Sequence, residues 1–440
     1  MVRITKTLGW AKRWVWLLTL VPVAALIGCE CWLVQGLLVP RRVAGGSMAP
    51  TFVGDHFQGE CHVCGHRWAY EGQQFERIIC PDCASRVDRL ESEPIRGDRL
   101  LFSRWRLFFQ SPRRWEIVGL RRPDRVGELA VKRIVGLPGE SVSIRRGDIH
   151  VDGRLVHKDL AEALDVAIPV SHGDRSVDRW RFEEKTGWRC QDHRFCWTSM
   201  VENSSLESVM TDIHGEQPAW LAYYHQENLA AGNQPVTDNY GYNQDVSRRL
   251  HQVRDLFATF RFSAPATGWI GLQCHDGDRW QRLLWNPVDG TIRSHGPGSG
   301  KYLDAEVEPV DPRAGVDVVF GTWDRQLLLG VNGRALYRQE LDDPKDGPWT
   351  PVSNPLGILP VRYKEMEIQR LRVWRDIYYL PLARADGRYE VKLADDEYFV
   401  LGDNAPISVD SRQWSQGGHR VTVHNLIGRA RRLSSDHSRK

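Results

Sequence analysis

The chain has no broad surplus of charge of one sign. Its 59 lysines and arginines face 56 aspartates and glutamates, a formal net charge of +3, so the diffuse basic field that a nucleic-acid partner needs is missing. The nucleophile elbow G-x-S-x-G is missing too, which leaves a Ser-His-Asp hydrolase built on His419 or His424 without its platform. Between Val156 and Leu380 no closely spaced acidic pair marks glycoside hydrolysis. The 18 tryptophans are not gathered in one place: 10 lie between Val156 and Leu380, about half of the chain, which is the share that core packing alone would give. Long hydrophobic runs are absent with one exception. What remains is an ordinary globular composition, and 440 residues suffice for about three domains.

The exception is WVWLLTLVPVAALIGCECWLVQGLLV, Trp14 to Val39. As a helix it would measure roughly 39 Å against the ~30 Å of hydrocarbon in a bilayer, so the run predicts a transmembrane anchor over 14–39. Glu30 and Gln35 lie toward one end, where a polar side chain reaches the headgroups, and Pro22 is a site for a kink. Arg3, Lys6, Lys12 and Arg13 precede the run and hold 1–13 in the cytoplasm. A single-pass protein of the inner membrane follows, with the lipid bilayer as a partner and everything after residue 40 outside. A cleaved secretory signal is the other reading, but its apolar region is only 7 to 15 residues long.

Just past this run stands GGSMAPT, with an unhindered serine, Ser47, between glycines and a proline. On its own it reads as a turn. Further on, ELAVKRIVGLPGESVSIRRGDIHVDG alternates as strand, turn and strand, with Lys132 between Val131 and an Ile-Val pair. A lysine there either snorkels to water or loses solvation, which disfavours its ammonium form and frees an amine to take a proton from a serine. The third stretch is EYFVLGDNAPISVDSRQW, read as a strand at Tyr398–Leu401 and a turn at Gly402-Asp403-Asn404. Beyond it Ser408, Asp410 and Arg412 alternate onto one side. Ser408 is placed to orient the lysine, while Asp403 and Asp410 either cap turns or pair with Arg133 and Arg412.

Taken together these blocks resemble the type I signal peptidases, membrane-anchored serine proteases with a Ser/Lys dyad. The match lies in GGSMAPT, in GDRLLFSRWRLF with EIVGLRRP, in VKRIVGLPGESVSIRRGDIHVDG, and in YFVLGDN with SVDSR, in that order. The resemblance implies that Ser47 is the nucleophile, Lys132 its general base, Ser408 the support of the lysine, and Asp403, Asp410, Arg412 and Arg133 a brace around them. It implies no cofactor for catalysis, and signal-peptide-bearing pre-proteins cut after small residues as substrates. Two departures stand out. Gly45 occupies a position where many members carry a serine that supplements the oxyanion hole, and Ala405-Pro406-Ile407 replaces a more polar tripeptide. The aromatic group Phe102, Trp105, Phe108 and Phe109 reads either as core or as a membrane-interface contact.

Two insertions interrupt the pattern. Cys61, Cys64, Cys80 and Cys83 form C-x2-C twice, fifteen residues apart, the spacing of a zinc ribbon in which four thiolates close a structural Zn2+ site. Two disulfides are the alternative in an oxidising compartment, and His62 or His66 is an alternative ligand. Cys190 and Cys196 could pair, Cys274 reads as a buried thiol, and Cys29 and Cys31 fall in the anchor. From about residue 157 to 380, alternating runs such as VRDLFATFRFS and LLLGVNGRALYRQEL, with Asn332-Gly333 and Asp289-Gly290 as hairpin turns, predict a β-sandwich. Its rhythm is similar to laminin-G or concanavalin-like jelly rolls, which implies a glycan or a protein partner.

The expected fold is mainly β: a cytoplasmic N-terminus at 1–13, the transmembrane helix at 14–39, and a signal-peptidase-type β catalytic domain split over 40–156 and 381–433. A zinc ribbon at 58–90, an inserted β-sandwich or jelly roll at 157–380 and a tail at 434–440 complete it. The competing expectation is a membrane-anchored glycan- or partner-binding protein on a degenerate peptidase scaffold.

Overall fold

The computed structural model describes residues 5–30, 36–72, 77–88, 93–170, 178–184, 186–199, 220–226, 232–295, 302–342, 352–381 and 389–434, the side chains of 5–15 and 434 excepted. Arg3, Cys31, Gln35 and the tail beyond 434 lie outside the described residues, as do the side chains of Lys6, Lys12 and Arg13.

The expected span over 14–39 is not what forms. A helix runs Thr5–Cys29, and Leu38–Arg42 is a strand. The helix therefore includes the charged Lys6, Lys12 and Arg13, and the last residues of the apolar run go to a sheet edge instead. Among the described residues no helix is long and apolar enough to cross a membrane.

The protein is mainly β. A first, antiparallel sheet has the order Leu38–Arg42, Arg99–Ser103, Leu426–Ser434, Ile117–Arg121, Leu129–Gly136, Glu397–Leu401, Val421–Thr422. Segments far apart in sequence thus lie side by side, and the C-terminal strand is inserted between two early ones. A second sheet of four strands, built on the Ser141–Arg145 and Asp148–Val151 hairpin with Tyr389–Lys392 at its edge, packs against it. Their shared core includes Val135, Val142, Ile144, Phe399 and Leu401, alternate residues of strands whose period of two puts one face inward.

Residues between Ile168 and Arg375 supply two more sheets, of eight and seven strands. One large apolar core holds Phe260, Phe262, Val318 and Ile368 from one sheet and Leu221, Ile270, Leu272 and Ile358 from the other, so the two pack face to face as a sandwich. The Asn332-Gly333 turn joins Gln326–Val331 to Arg334–Glu340 with both residues at positive φ, 50° and 79°, which a two-residue turn of this hand requires. Asp289-Gly290, by contrast, closes a longer loop in which Gly290 N–H bonds to the Asn286 carbonyl. Cys190 faces Phe195 and Cys196 faces Arg189 across one hairpin. The alternation of a strand then puts the two thiols on opposite faces, and both are free.

The sandwich leaves and rejoins the rest at one place. Val156 N–H bonds to Ile149 O at 3.0 Å and Tyr379 N–H to Gly147 O at 3.1 Å, both on the same hairpin. Beside this junction the buried Lys158 ammonium donates to Asp324 at 2.6 Å and Asp376 at 2.9 Å. It also lies over the rings of Trp115 and Trp323, at 4.6 and 5.6 Å. A fully buried ammonium is tolerable only with such partners, and Phe257, Trp323 and Tyr240 from the insert share the core of the two smaller sheets.

Candidate active site

Ser47 and Lys132 line one open cleft of about 410 Å³. Ser47 lies in the loop after Leu38–Arg42 and Lys132 in the strand Leu129–Gly136, with Leu100, Phe102, Val131 and Ile427 among the apolar walls. Of the strand Leu129–Gly136, Glu397–Leu401 covers only Arg133–Gly136, so Leu129–Val131 keeps a free edge toward the cleft. Leu38–Arg42 is the terminal strand of the sheet. The cleft is thus bordered by two unpaired backbone edges, which can accept an added strand.

Lys132 is 2% exposed. Burial pulls its ammonium down from 10.5 to about 8, against the opposing charge of Asp410 and with help from Arg412. Its Nζ donates to Ser408 Oγ at 3.0 Å, and Ser408 Oγ in turn donates to Asp410 Oδ2 at 2.6 Å. A hydroxyl has one proton; since that proton goes to the carboxylate, Ser408 can only accept from the amine. The lone pair of a neutral Lys132 therefore stays free for another partner.

Asp410 is saturated. It accepts Arg412 Nε and Nη2, both at 2.8 Å, and Gly402 N–H at 3.1 Å. Burial alone would raise its pKa, but the Arg412 guanidinium and the Ser408 hydroxyl hold the carboxyl below its usual range. The alternation expected for Ser408, Asp410 and Arg412 is not a strand: Ser411–Gln416 is a short helix that Asp410 caps, its carboxylate accepting Arg412 N–H at 3.2 Å. The three side chains meet through that cap.

On the opposite face of the Lys132 strand, the guanidinium of Arg133 grips Asp403 through two bonds of 2.8 and 2.7 Å and also donates to Trp115 O and Asp165. Asp403 accepts the Thr51 hydroxyl as well. Asn404 N–H donates to Ser47 O at 3.1 Å and Asn404 Nδ2 to Gly46 O at 3.0 Å. Gly402 must be glycine for packing reasons: a Cβ there would lie 2.2 Å from Ser408 Oγ and 2.4 Å from Ser47 O. At Gly45 nothing lies within 4 Å of an added Cβ. His419 and His424 are exposed and away from the cleft. Phe102 is buried in the cleft floor, whereas Trp105, Phe108 and Phe109 are exposed.

Several residues of this neighbourhood carry no signal in the sequence. Glu71 lines the cleft beside Gly46, its carboxyl raised by burial and by Asp245. Asp165, Tyr240 and Asn243 come from the insertion side, with Tyr240 Oη donating to Asp403 O at 2.8 Å. Only their chain positions far from the motifs, brought close by the fold, reveal them.

Cys61, Cys64, Cys80 and Cys83 form a second cluster. All are buried, and their Sγ atoms lie within 4.8 Å of one another, on two small hairpins, Phe57–Glu60 with Arg67–Tyr70 and Arg77–Ile79 with Arg86–Asp88. In each, the residue after the second cysteine adopts a left-handed conformation, Gly65 at φ 68° and Ala84 at φ 56°, turning two knuckles toward one point. No disulfide joins them. Burial pushes the Cys64 thiol up to about 12, so a thiolate at that position calls for a cation. Four sulfurs in that arrangement fit tetrahedral zinc. His66 is buried but stacks on Trp68 outside the cluster.

Comparison with known proteins adds one assignment. A family model described as signal peptidase, peptidase S26, matches residues 12–186 and 325–434, more than half of the chain. No curated protein matches. Among solved structures, the carbohydrate-binding module CBM66 from Bacillus subtilis is similar at 12% identity and TM-score 0.20 over 27% of this chain and 74% of its own. Sheep galectin-11 is similar at 8% and 0.22 over 36% and 99%. A functionally unknown protein from Saccharomyces cerevisiae matches at 10% and 0.24 over 45% and 97%. Likenesses at that level carry no argument about the sandwich.

The electrostatics can be checked directly. An NMR titration of the Lys132 side chain is expected to give a midpoint near 8. Asp410→Asn removes the charge that favours the ammonium, so its midpoint should fall further; a midpoint near 10.5 in either protein would contradict the burial argument.

Proposed function

The chain belongs to the signal peptidase family, peptidase S26, and we propose that it is a serine endopeptidase that removes N-terminal signal peptides from exported pre-proteins, with Ser47 as nucleophile and Lys132 as general base. The observation that carries this reading is the buried amine of Lys132, held by Ser408 and Asp410 in the cleft that Ser47 lines.

An extended pre-protein segment adds as a strand between the free edges of Leu38–Arg42 and Leu129–Val131, giving affinity through main-chain bonds. Phe102 and Leu100 under the cleft leave room for small side chains next to the scissile bond. Neutral Lys132 accepts the Ser47 hydroxyl proton as Oγ attacks the scissile carbonyl carbon. The developing oxyanion is met by the Ser47 N–H. The ammonium then returns its proton to the leaving amine, the carbon–nitrogen bond breaks, and an acyl ester on Ser47 remains. Lys132 next deprotonates a water, which attacks the ester and releases the signal peptide as its carboxylate. Bringing the amine from 10.5 to about 8 raises its free fraction at neutral pH by roughly 300-fold.

The competing reading, a partner- or glycan-binding protein on a degenerate scaffold, needs none of the Lys132, Ser408, Asp410 and Arg412 chain, which is intact. In the same proposal Cys61, Cys64, Cys80 and Cys83 hold one structural zinc, which stabilises the ribbon and touches no reacting atom.

Four outcomes are expected. Purified Ser47→Ala and Lys132→Met should each lose at least about 10³-fold in pre-protein cleavage, and the wild-type rate should climb with pH until it levels above about 8; cleavage persisting in either variant sinks the dyad. Gly45→Ser, which meets no steric obstacle, should raise kcat about tenfold or more by adding an oxyanion donor, within the ~10² to 10³ that one such donor is worth. An unchanged kcat would mean that another group already fills that role. Metal analysis should find one zinc per chain, lost on Cys61→Ser together with thermal stability; a zinc-free wild type would refute the ribbon site.

A further inference from the structure

The insert reaches back to the nucleophile. Its segment Asn239–Gln244 is fixed on the sandwich side by Arg375, whose Nη2 donates to Asn239 O at 2.9 Å and whose guanidinium lies 4.8 Å from the Tyr240 ring centre. On the other side Tyr240 Oη holds Asp403 O, and Asn243 and Asn404 exchange two amide bonds, each of 2.8 Å. Asn404 is fully buried, so an amide left half-bonded there would be costly. With Asn243 in place both of its donors and its oxygen are used: Nδ2 bonds to Asn243 Oδ1 and to Gly46 O, and Oδ1 accepts from Asn243 Nδ2.

The carbonyl that Asn404 grips has a particular neighbour. Gly46 C=O and Ser47 N–H belong to one peptide unit, which is planar with its oxygen and hydrogen on opposite sides. Holding the oxygen at 3.0 Å therefore aims the hydrogen. Tyr242 packs on the same unit so closely that a Cβ at Gly46 would lie 2.2 Å from its ring. With Gly45 supplying no hydroxyl, the direction of that one N–H matters more than it would otherwise.

We propose that Asn243, contributed by the inserted sandwich, is a positioning residue for the peptidase reaction: through Asn404 and Gly46 it aims the Ser47 N–H at the oxyanion. This rests on the assignment of Ser47 as nucleophile. A residue acting in this way influences the tetrahedral state and not the binding of the peptide.

The test compares Asn243→Ala, Asn404→Ala and the double variant in the full-length protein, with Asn243→Asp as the isosteric change that keeps an acceptor but loses the donor. Substrate is a pre-protein reporter, and the probes are a peptide aldehyde, which forms a tetrahedral adduct with a serine, and the matching unreactive peptide amide. Asn243→Ala is expected to lower kcat about 10- to 100-fold with KM within about twofold, a part of the ~10² to 10³ that an oxyanion donor contributes. Aldehyde affinity should fall by a similar factor while amide affinity holds, and the double variant should be no worse than the more impaired single one. Asn243→Asp should be intermediate, and it carries the test if Asn243→Ala fails to fold. Unchanged kcat, equal losses for aldehyde and amide, or additive losses in the double variant would overturn the proposal. Full activity in Ser47→Ala would instead overturn the peptidase reading on which it depends.

Discussion

The charge balance around Asp410 is the constraint on which the site depends. A lysine amine must be uncharged to act as a base, yet it sits two hydrogen bonds from a carboxylate that favours its ammonium form. The conflict is resolved by giving the carboxylate enough other partners. Arg412 occupies both of its oxygens and Gly402 N–H a further position, so the negative charge is largely neutralised before Lys132 meets it. Ser408 stands between the two and passes on orientation without passing on the proton. Removing water does the rest, because desolvation is the largest influence on Lys132.

A second balance of the same kind lies on the other face of that strand. Arg133 has no exposure and bonds to Asp403, Trp115 O and Asp165, so adjacent residues carry opposite demands: one cation kept charged by paired carboxylates, one amine made easier to deprotonate. The alternation of a single strand separates them. Asp403 then ties Thr51, just beyond Ser47, to the centre of the sheet. Glu71 of the ribbon and Tyr242 of the insert close on the same loop from outside, Glu71 N–H bonding to Tyr242 O at 3.0 Å. The Ser47 loop is thus enclosed by three parts of the chain.

Much of this was legible in the sequence. Ser47, Lys132, Ser408, Asp403 and Asp410 could be picked out because four motifs occur in the order of the family they resemble, whereas each stretch alone reads equally as a turn, a strand lysine or a cap. The paired C-x2-C spacing announced one cluster for a similar reason. Asn243 and Tyr240 could not be read, since NYGYN has the composition of any turn and its partners lie more than 150 residues away. Hydropathy placed the end of the Trp14 to Val39 segment too late because a window counts apolar residues without knowing that Leu38 and Val39 have backbone partners at Ser103 and Phe102. Period-two reading also missed the cap at Asp410, where a helix start brought the same residues together by another route.

The junction at the Ser141–Val151 hairpin bears on how such a protein could be shortened or could have grown. Since both ends of the large insert anchor to Ile149 and Gly147, joining them directly would demand little chain-closure entropy, and connectivity alone would let the sandwich be gained or shed as a unit. Its embrace of the nucleophile loop acts in the opposite sense. Deleting the insert would take away the Tyr240 bond to Asp403 O and the Asn243 bonds to Asn404, so easy chain closure does not by itself make it dispensable.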